Sequence, residues 1–490
     1  MWYGLSSIAA RFINYLLTPF LTYSHHIKTS DFGKMGLIYS ALPVLNVVFT
    51  YGFETAYFRF SAREEYKKSI YSTTAISLIV STLIFTLLLW FNQSLIGNQI
   101  GLGAFPKIIQ YSILIIAFDT LSTIPFARLR QDGRPVKFAI VKITGITINM
   151  LLTWFFIGYC AGKLESDPNN IVRLLYDKNT NPINYVVLAN LVQSVFTLLL
   201  LFSEIRQIRL RFNIKLWKEM MVYSLPLLIV GLGGIVNETF DRLMLNKWLP
   251  GTQEFKEGQV GIYNACYKLS ILITLFIQAF KMGAEPFFFK QAESASPQRT
   301  YARVMKFFVI VITLMFLVVA LYIPIWQYFI GEQYRAGLAV VPILLLANIF
   351  LGIYYNLSVW FKLSNKTIAG TYITLIGTLI TLVINYFFIP YFGYMASAWA
   401  TFLCYGSMMV MSFIWGQKYY YIPYAWKKLV AYMVIVILFF FIHKAVLMLW
   451  SNRWFGLSIA TLLVYIYCWF LLLIERKEFK KLPVIGKYIK

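Results

Sequence analysis

The residues of this chain with types suited to chemistry are charged side chains set inside long apolar runs. Arg11, Arg242, Lys268 and Lys281 would give a water-filled cavity a positive field, which favours an anion such as a phosphate. Glu54, Asp119, Glu238, Asp241 and Glu285 are carboxylates able to bind a proton or a sodium ion, or to gate a passage. A lone charge at mid-bilayer costs about 2.5–3.5 kcal/mol on insertion scales, so each of these needs a partner, water or a cargo. The set suits binding and ion exchange. No GxSxG, P-loop or GxGxxG stands in a strand–turn–helix setting, so no enzyme activity, cofactor or ATP-driven step is expected. No Cys/His/Asp/Glu group has metal spacing along the chain, and no metal site is expected. His25 and His26 fall in a short loop and read as solvated. Cys160, Cys266, Cys404 and Cys468 are scattered through apolar sequence and read as packing residues.

Spacing places these charges on polar faces. Asn46, Thr50 and Glu54 follow at steps of four; Thr274, Gln278, Lys281 and Glu285 follow at four, three and four. Glu238 precedes Asp241 and Arg242 by three and four residues, with Asn237 beside them. Arg11, Asn14, Tyr15 and Thr18 mark the first apolar run; Ser112, Asp119 and Thr123 mark the fourth. Competing structural readings exist. Glu238 and Arg242 would satisfy each other, Glu54 and Glu285 would pair with Arg59 and Lys290 near the headgroups, and Lys142 and Lys444 would snorkel.

The elements that must position them are membrane spans. Of the 490 residues, 59% are hydrophobic and only 13% charged, more apolar surface than a water-soluble protein of this length can hide. Apolar runs predict an all-α, polytopic membrane protein with about fourteen spans, from 5–22 and 36–58 to 428–449 and 456–474. The formal net charge of +24 is explained by basic inside loops, densest at Arg206–Lys218 and Arg476–Lys490, which predicts both termini in the cytoplasm. No soluble domain is present to carry nucleic-acid binding. The longest outer loop, 161–183, is too short to fold as a catalytic domain.

The chain also repeats itself. Gly52-Phe53-Glu54 with Arg59 matches Gly283-Ala284-Glu285 with Lys290 at an offset of 231. Arg130, Arg134, Gly145 and Phe155-Phe156-Ile157 match Lys362, Lys366, Gly377 and Phe387-Phe388-Ile389 at an offset of 232. Two nearly equal offsets predict two pseudo-symmetric six-helix lobes related by an axis along the membrane normal. The expected organisation is an N-lobe at 1–203, a basic cytoplasmic linker at 204–218, a C-lobe at 219–417, and a final helix pair with a basic tail at 418–490.

Six plus six plus two spans, the FGKMGLIYSA and EGQVGIYNA segments, the NETFDRLML run and the FGYMASAWAT run together resemble the oligosaccharide flippases of bacterial polysaccharide biosynthesis. These belong to the multidrug/oligosaccharidyl-lipid/polysaccharide exporter superfamily. The resemblance implies alternating access in the bacterial inner membrane, without catalysis. It implies a cargo of undecaprenyl diphosphate carrying a short sugar unit, as for O-antigen or lipopolysaccharide, and exchange for a proton or sodium ion. Membrane lipids and polysaccharide polymerase machinery are the implied partners. By position, Arg11, Asp241, Arg242 and Lys268 fall where such transporters carry cavity charges. The lipid II flippases carry several arginines in the first span, whereas this chain has only Arg11 there. The alternative reading is a cation-coupled multidrug or small-solute exporter on the same scaffold.

Overall fold

The computed structural model describes residues 2–61, 63–291, 296–364, 366–450 and 452–480. These residues are all-α, with no strand among them. The long helices and those that break them are α1 (Trp2–Tyr15), α2 (Leu17–Tyr23), α3 (Thr29–Thr50), α4 (Phe53–Ser61), α5 (Ile70–Phe91), α6 (Pro106–Gln131) and α7 (Pro135–Thr153). They continue as α8 (Ile183–Leu200), α9 (Ile214–Trp248), α10 (Gln253–Gln291), α11 (Pro297–Ala320) and α12 (Val340–Leu357). The last are α13 (Thr367–Phe392), α14 (Tyr394–Tyr419), α15 (Trp426–Leu449) and α16 (Arg453–Ile474).

Among the described residues, thirteen helices are long and apolar enough to cross a membrane. The first expected span is built differently, as α1 and α2 separated at Leu16. Its polar residues dilute the run, and neither piece alone reaches span length. Lipid-facing surface is plain on α5, where Ile79, Leu83 and Leu87 recur every four residues and are all exposed. In water that stripe would be unstable; in hydrocarbon it costs nothing.

The chain divides into two compact units, one of residues 1–265 and 374–404, the other of residues 266–373 and 405–490. In the first unit, the predicted second span breaks at Tyr51 and Gly52, whose φ angles are 34° and 76°. The left-handed backbone suits glycine at Gly52 and turns the chain before α4. The second copy of the repeat differs here, since Gly283 lies inside the continuous helix α10. The other repeat departs locally as well. Phe155–Ile157 lie on a π-helical stretch, Trp154–Cys160, that extends α7, whereas Phe387–Ile389 stay within α13.

Buried carboxylates tie helix ends together in each unit. In the first, Glu204 is fully buried just after α8 and accepts two hydrogen bonds from Lys137 Nζ, at 2.7 and 2.8 Å. Ser203 donates to it at 2.8 Å, and the Tyr71 hydroxyl donates to its carbonyl at 2.7 Å. In the second unit, Glu475 closes α16 and receives Lys306 Nζ at 2.7 Å, Lys428 Nζ at 3.1 Å and the Tyr432 hydroxyl at 2.7 Å. One carboxylate therefore joins α11, α15 and α16. Removing it leaves the Lys306 ammonium, largely buried, without this countercharge.

Two outcomes follow from these ties. Glu475→Ala lowers stability by about 3 kcal/mol, read as a fall in the melting temperature of the detergent-solubilised protein. For Glu204, burial pushes the carboxyl pKa up, but the Lys137 and Ser203 hydrogen bonds and the Lys137 charge outweigh it and hold the pKa below the ordinary range. A depressed pKa stabilises fully above the unfolded glutamate value of about 4.3, and the gain is lost as pH falls through the folded value. Lys137→Ala is therefore expected to cost roughly 1–3 kcal/mol at pH 7, since Lys137 is one-third exposed. The deficit in melting temperature relative to wild type narrows below about pH 4.

Candidate functional site

Within the first unit, α1, α3, α4, α6, α7 and α8 surround two adjoining polar cavities of about 450 and 430 Å³. Both are lined by Asn14, Asp119, Thr123, Ile146 and Gln193. The first also takes Arg11, Glu54, Arg130 and Lys142 into its wall; the second takes Tyr39, Asn46, Asn149 and Asn190. Two helices contribute through faces read from sequence: Arg11 and Asn14 from α1, Asp119 and Thr123 from α6 at a four-residue step. The apolar backs of these helices pack outward, so the polar faces can meet only around shared space.

The electrostatics of the wall are mixed and formally positive. Arg11, Arg130 and Lys142 oppose Glu54 and Asp119. Glu54 is ion-paired to Arg130 at the end of α6. Arg59, the local partner considered for Glu54, instead lies over the Tyr223 ring at 4.1 Å. The Arg130 guanidinium also faces the rings of Phe58 and Phe138, at 4.9 and 5.9 Å. Lys142 reaches the cavity wall. Its ammonium lies 5.2 Å from the Phe138 ring and 5.6 Å from that of Phe126, on the cavity wall. Cation–π contacts of this kind hold a cation in place on the wall.

Arg242 and Asp241 are placed differently. Both are buried in a knot on α9. Arg242 donates to Asp241 Oδ1 at 2.8 Å and to the Glu238 carbonyl at 2.7 Å. The Tyr263 hydroxyl from α10 donates to Asp241 Oδ2 at 2.7 Å. Glu238 uses its carbonyl here, and its side chain is exposed. Beside the knot, Asn237 donates to the Thr374 carbonyl at 3.4 Å, and Thr381 donates to Asn237 Oδ1 at 3.3 Å.

In the second unit, Lys268 is half-buried on α10. Lys281 lies 4.3 Å from the Tyr355 ring and lines a small recess with Asn356 and Lys362. The side chain of Glu285 lies outside the described residues, as does that of Lys290. The structure thus brings Arg11, Glu54 and Asp119 together, pairs Asp241 with Arg242, and sets Lys281 in a recess of its own.

One buried ionic cluster was not singled out from sequence. Lys34 of α3 bonds Asp31 at 3.0 Å and faces Glu257 of α10 at 3.4 Å. Asn181 donates to Asp31 at 2.6 Å and Gln253 donates to Glu257 at 3.1 Å. The helices meet here through glycine. A Cβ on Gly33 would strike the Glu257 carbonyl, and one on Gly261 would strike the Thr29 carbonyl. The FGKMG and EGQVG segments carried this signal, because each sets a charged residue beside glycines.

With this geometry in hand, comparison with known proteins becomes informative. A family profile described as polysaccharide biosynthesis protein matches residues 171–292. A lipid II flippase, MurJ, in an inward closed conformation, aligns over 97% of this chain and 99% of its own, with a TM-score of 0.68 and 14% identity. An inward-facing multidrug resistance MATE transporter of the MOP superfamily aligns over 88% and 95%, with a TM-score of 0.58 and 15% identity. A mutant of the Vibrio cholerae MATE transporter VcmN aligns over 85% and 93%, with a TM-score of 0.58 and 11% identity. No curated protein matches by sequence. The chain has the fold shared by these flippase and transporter structures, as its motifs implied, and its apolar helices are those of a multi-pass membrane protein.

The Lys34 cluster yields its own expectation. Lys34→Met leaves Asp31 and Glu257 as neighbouring buried carboxylates. The melting temperature should fall sharply, and the double variant Lys34→Met with Glu257→Gln should regain part of the loss.

Proposed function

We propose that the chain flips lipid-linked oligosaccharides, carried on undecaprenyl diphosphate, from the inner to the outer leaflet of the bacterial inner membrane. The observation that carries the reading is the formally positive wall formed by Arg11, Arg130 and Lys142, in a chain whose family profile is that of polysaccharide biosynthesis. A diphosphate entering from lipid exchanges its hydration for guanidinium and ammonium donors, and guanidinium forks onto phosphate oxygens. Asn14, Asn149, Asn190 and Gln193 offer amide donors and acceptors of the kind that suit sugar hydroxyls. The polyprenyl chain stays in hydrocarbon, where it needs no protein path.

In this reading Arg11 and Lys142 are the headgroup cations of the first unit, and Lys268 and Lys281 serve the cargo from the second. Asp119 is the candidate for the coupling proton or sodium ion, because it sits on the wall common to both cavities. Glu54 gates by releasing Arg130. Asp241 and Arg242 act together as a positioning pair, which Glu238 joins through its backbone, and Glu285 is the counterpart of Glu54 in the repeat. The lobes 1–203 and 219–417 alternate about the linker, with 418–490 as an added pair and both termini in the cytoplasm. Surface polysaccharide assembly then consumes the product.

A cation-coupled multidrug exporter is the second reading, favoured by the MATE transporters among the fold's neighbours. A cationic drug would meet repulsion from the same wall.

In proteoliposomes carrying fluorescent lipid-linked oligosaccharide, Arg11→Ala combined with Lys142→Ala should reduce translocation at least tenfold, while Asp119→Asn should abolish its dependence on an imposed proton or sodium gradient. Unchanged sugar translocation with loss of drug efflux would favour the exporter. Loss of neither activity would remove the cavity from the transport path.

A further inference from the structure

Outside the cavities, the chain assembles a ligand set that its sequence keeps far apart. His25 and His26 occupy the short connection between α2 and α3, and Glu165 lies 140 residues later, at the end of the helical extension of α7. His25 Nε2 lies 3.2 Å from Glu165 Oε2, and His26 Nδ1 lies 3.4 Å from Glu165 Oε1. One ligand atom from each of the three residues falls within 4.8 Å of the other two. The imidazole centroids are 3.9 Å apart and tilted by 41°. Two rings from consecutive residues are thus turned toward one carboxylate.

The geometry points to a divalent transition-metal site formed by His25, His26 and Glu165, with zinc as the best-suited ion. A tetrahedral zinc with bonds of about 2.0–2.1 Å sets its ligand atoms roughly 3.3 Å apart. Each His–Glu separation has that spacing, His25 to one carboxylate oxygen and His26 to the other, so a metal would replace the hydrogen-bonding protons and draw in ligand atoms that already lie within 4.8 Å of one another. Neutral imidazole suits zinc, copper and nickel, and the single carboxylate supplies negative charge. His26 is mostly buried and fixes one ligand, whereas His25 and Glu165 are open to solvent and leave room for water in the fourth position. Lys178 donates to the Leu164 carbonyl beside the site. Its positive charge works against a cation and sets the affinity below that of a structural zinc site.

The consequence is mechanical. The bound ion staples the α2–α3 connection to the end of the fifth span, and both elements lead directly into helices that line the cavity. The site is independent of the cargo, so its test uses no transport assay. Tag-free, full-length protein in detergent is titrated with Zn²⁺ against a chromophoric chelator, and its melting temperature is followed with and without Zn²⁺. Wild type should bind one equivalent and gain melting temperature. His26→Ala and Glu165→Gln should each weaken binding by about tenfold or more and lose the Zn²⁺-dependent gain. His25→Ala, at a solvent-exposed position, should do the same without changing the melting temperature of the metal-free protein. Absence of saturable binding, or stoichiometric binding that survives all three substitutions, would overturn the assignment.

Discussion

A charge held within the thickness of a membrane must find a countercharge, water or a cargo, and the arrangement of this protein follows from that constraint. The ionic groups of the first unit answer it in several ways. Asp241 and Arg242 neutralise each other inside a knot completed by Tyr263. Lys34 holds two carboxylates on two helices that meet through glycine. Arg11, Lys142 and Asp119 instead share open polar space with a row of amides. The first two solutions fix structure; the third lines polar space large enough for something that enters and leaves.

This contrast separates cavity residues from anchors better than charge alone. Arg242 has the residue type for phosphate recognition, but its guanidinium already serves Asp241 and the Glu238 carbonyl. Lys142 looked like a snorkelling lysine, yet it stands over two phenylalanine rings on the cavity wall. Glu54 occupies an intermediate state, half-buried and paired with Arg130 at the cavity edge, which suits a group that changes partner during a cycle. The ties at Glu204 and Glu475 lie at helix ends, where they brace the units without occupying the polar path.

The helices were legible because hydropathy over a span-length window is a local property. The apolar stretches leave little ambiguity at 428–449 and 456–474, where the observed helices, Trp426–Leu449 and Arg453–Ile474, depart from the expected bounds by at most three residues. The polar faces of α1 and α6 were legible for a similar reason, since a four-residue step is read from one helix. Partners were not. Nothing local distinguishes Arg59 from Arg130 as the mate of Glu54, and the choice depends on how α4 turns after Gly52. Likewise His25 and His26 look solvated until Glu165 arrives from a helix end 140 residues away. The repeat was legible as sequence, but not the local difference between its copies, where Gly52 breaks its helix and Gly283 does not.

The account rests on cargo passing through the cavity around Asp119, and accessibility measures this most directly. Gln193→Cys places a thiol on the wall shared by both cavities. Three of the native cysteines are buried, and substitution of the fourth, Cys468, removes its background. The rate of modification by a charged, water-soluble thiol reagent in proteoliposomes is then compared with and without lipid-linked oligosaccharide. The account predicts ready modification that saturating cargo slows severalfold. Modification that proceeds at one rate regardless of cargo would contradict it.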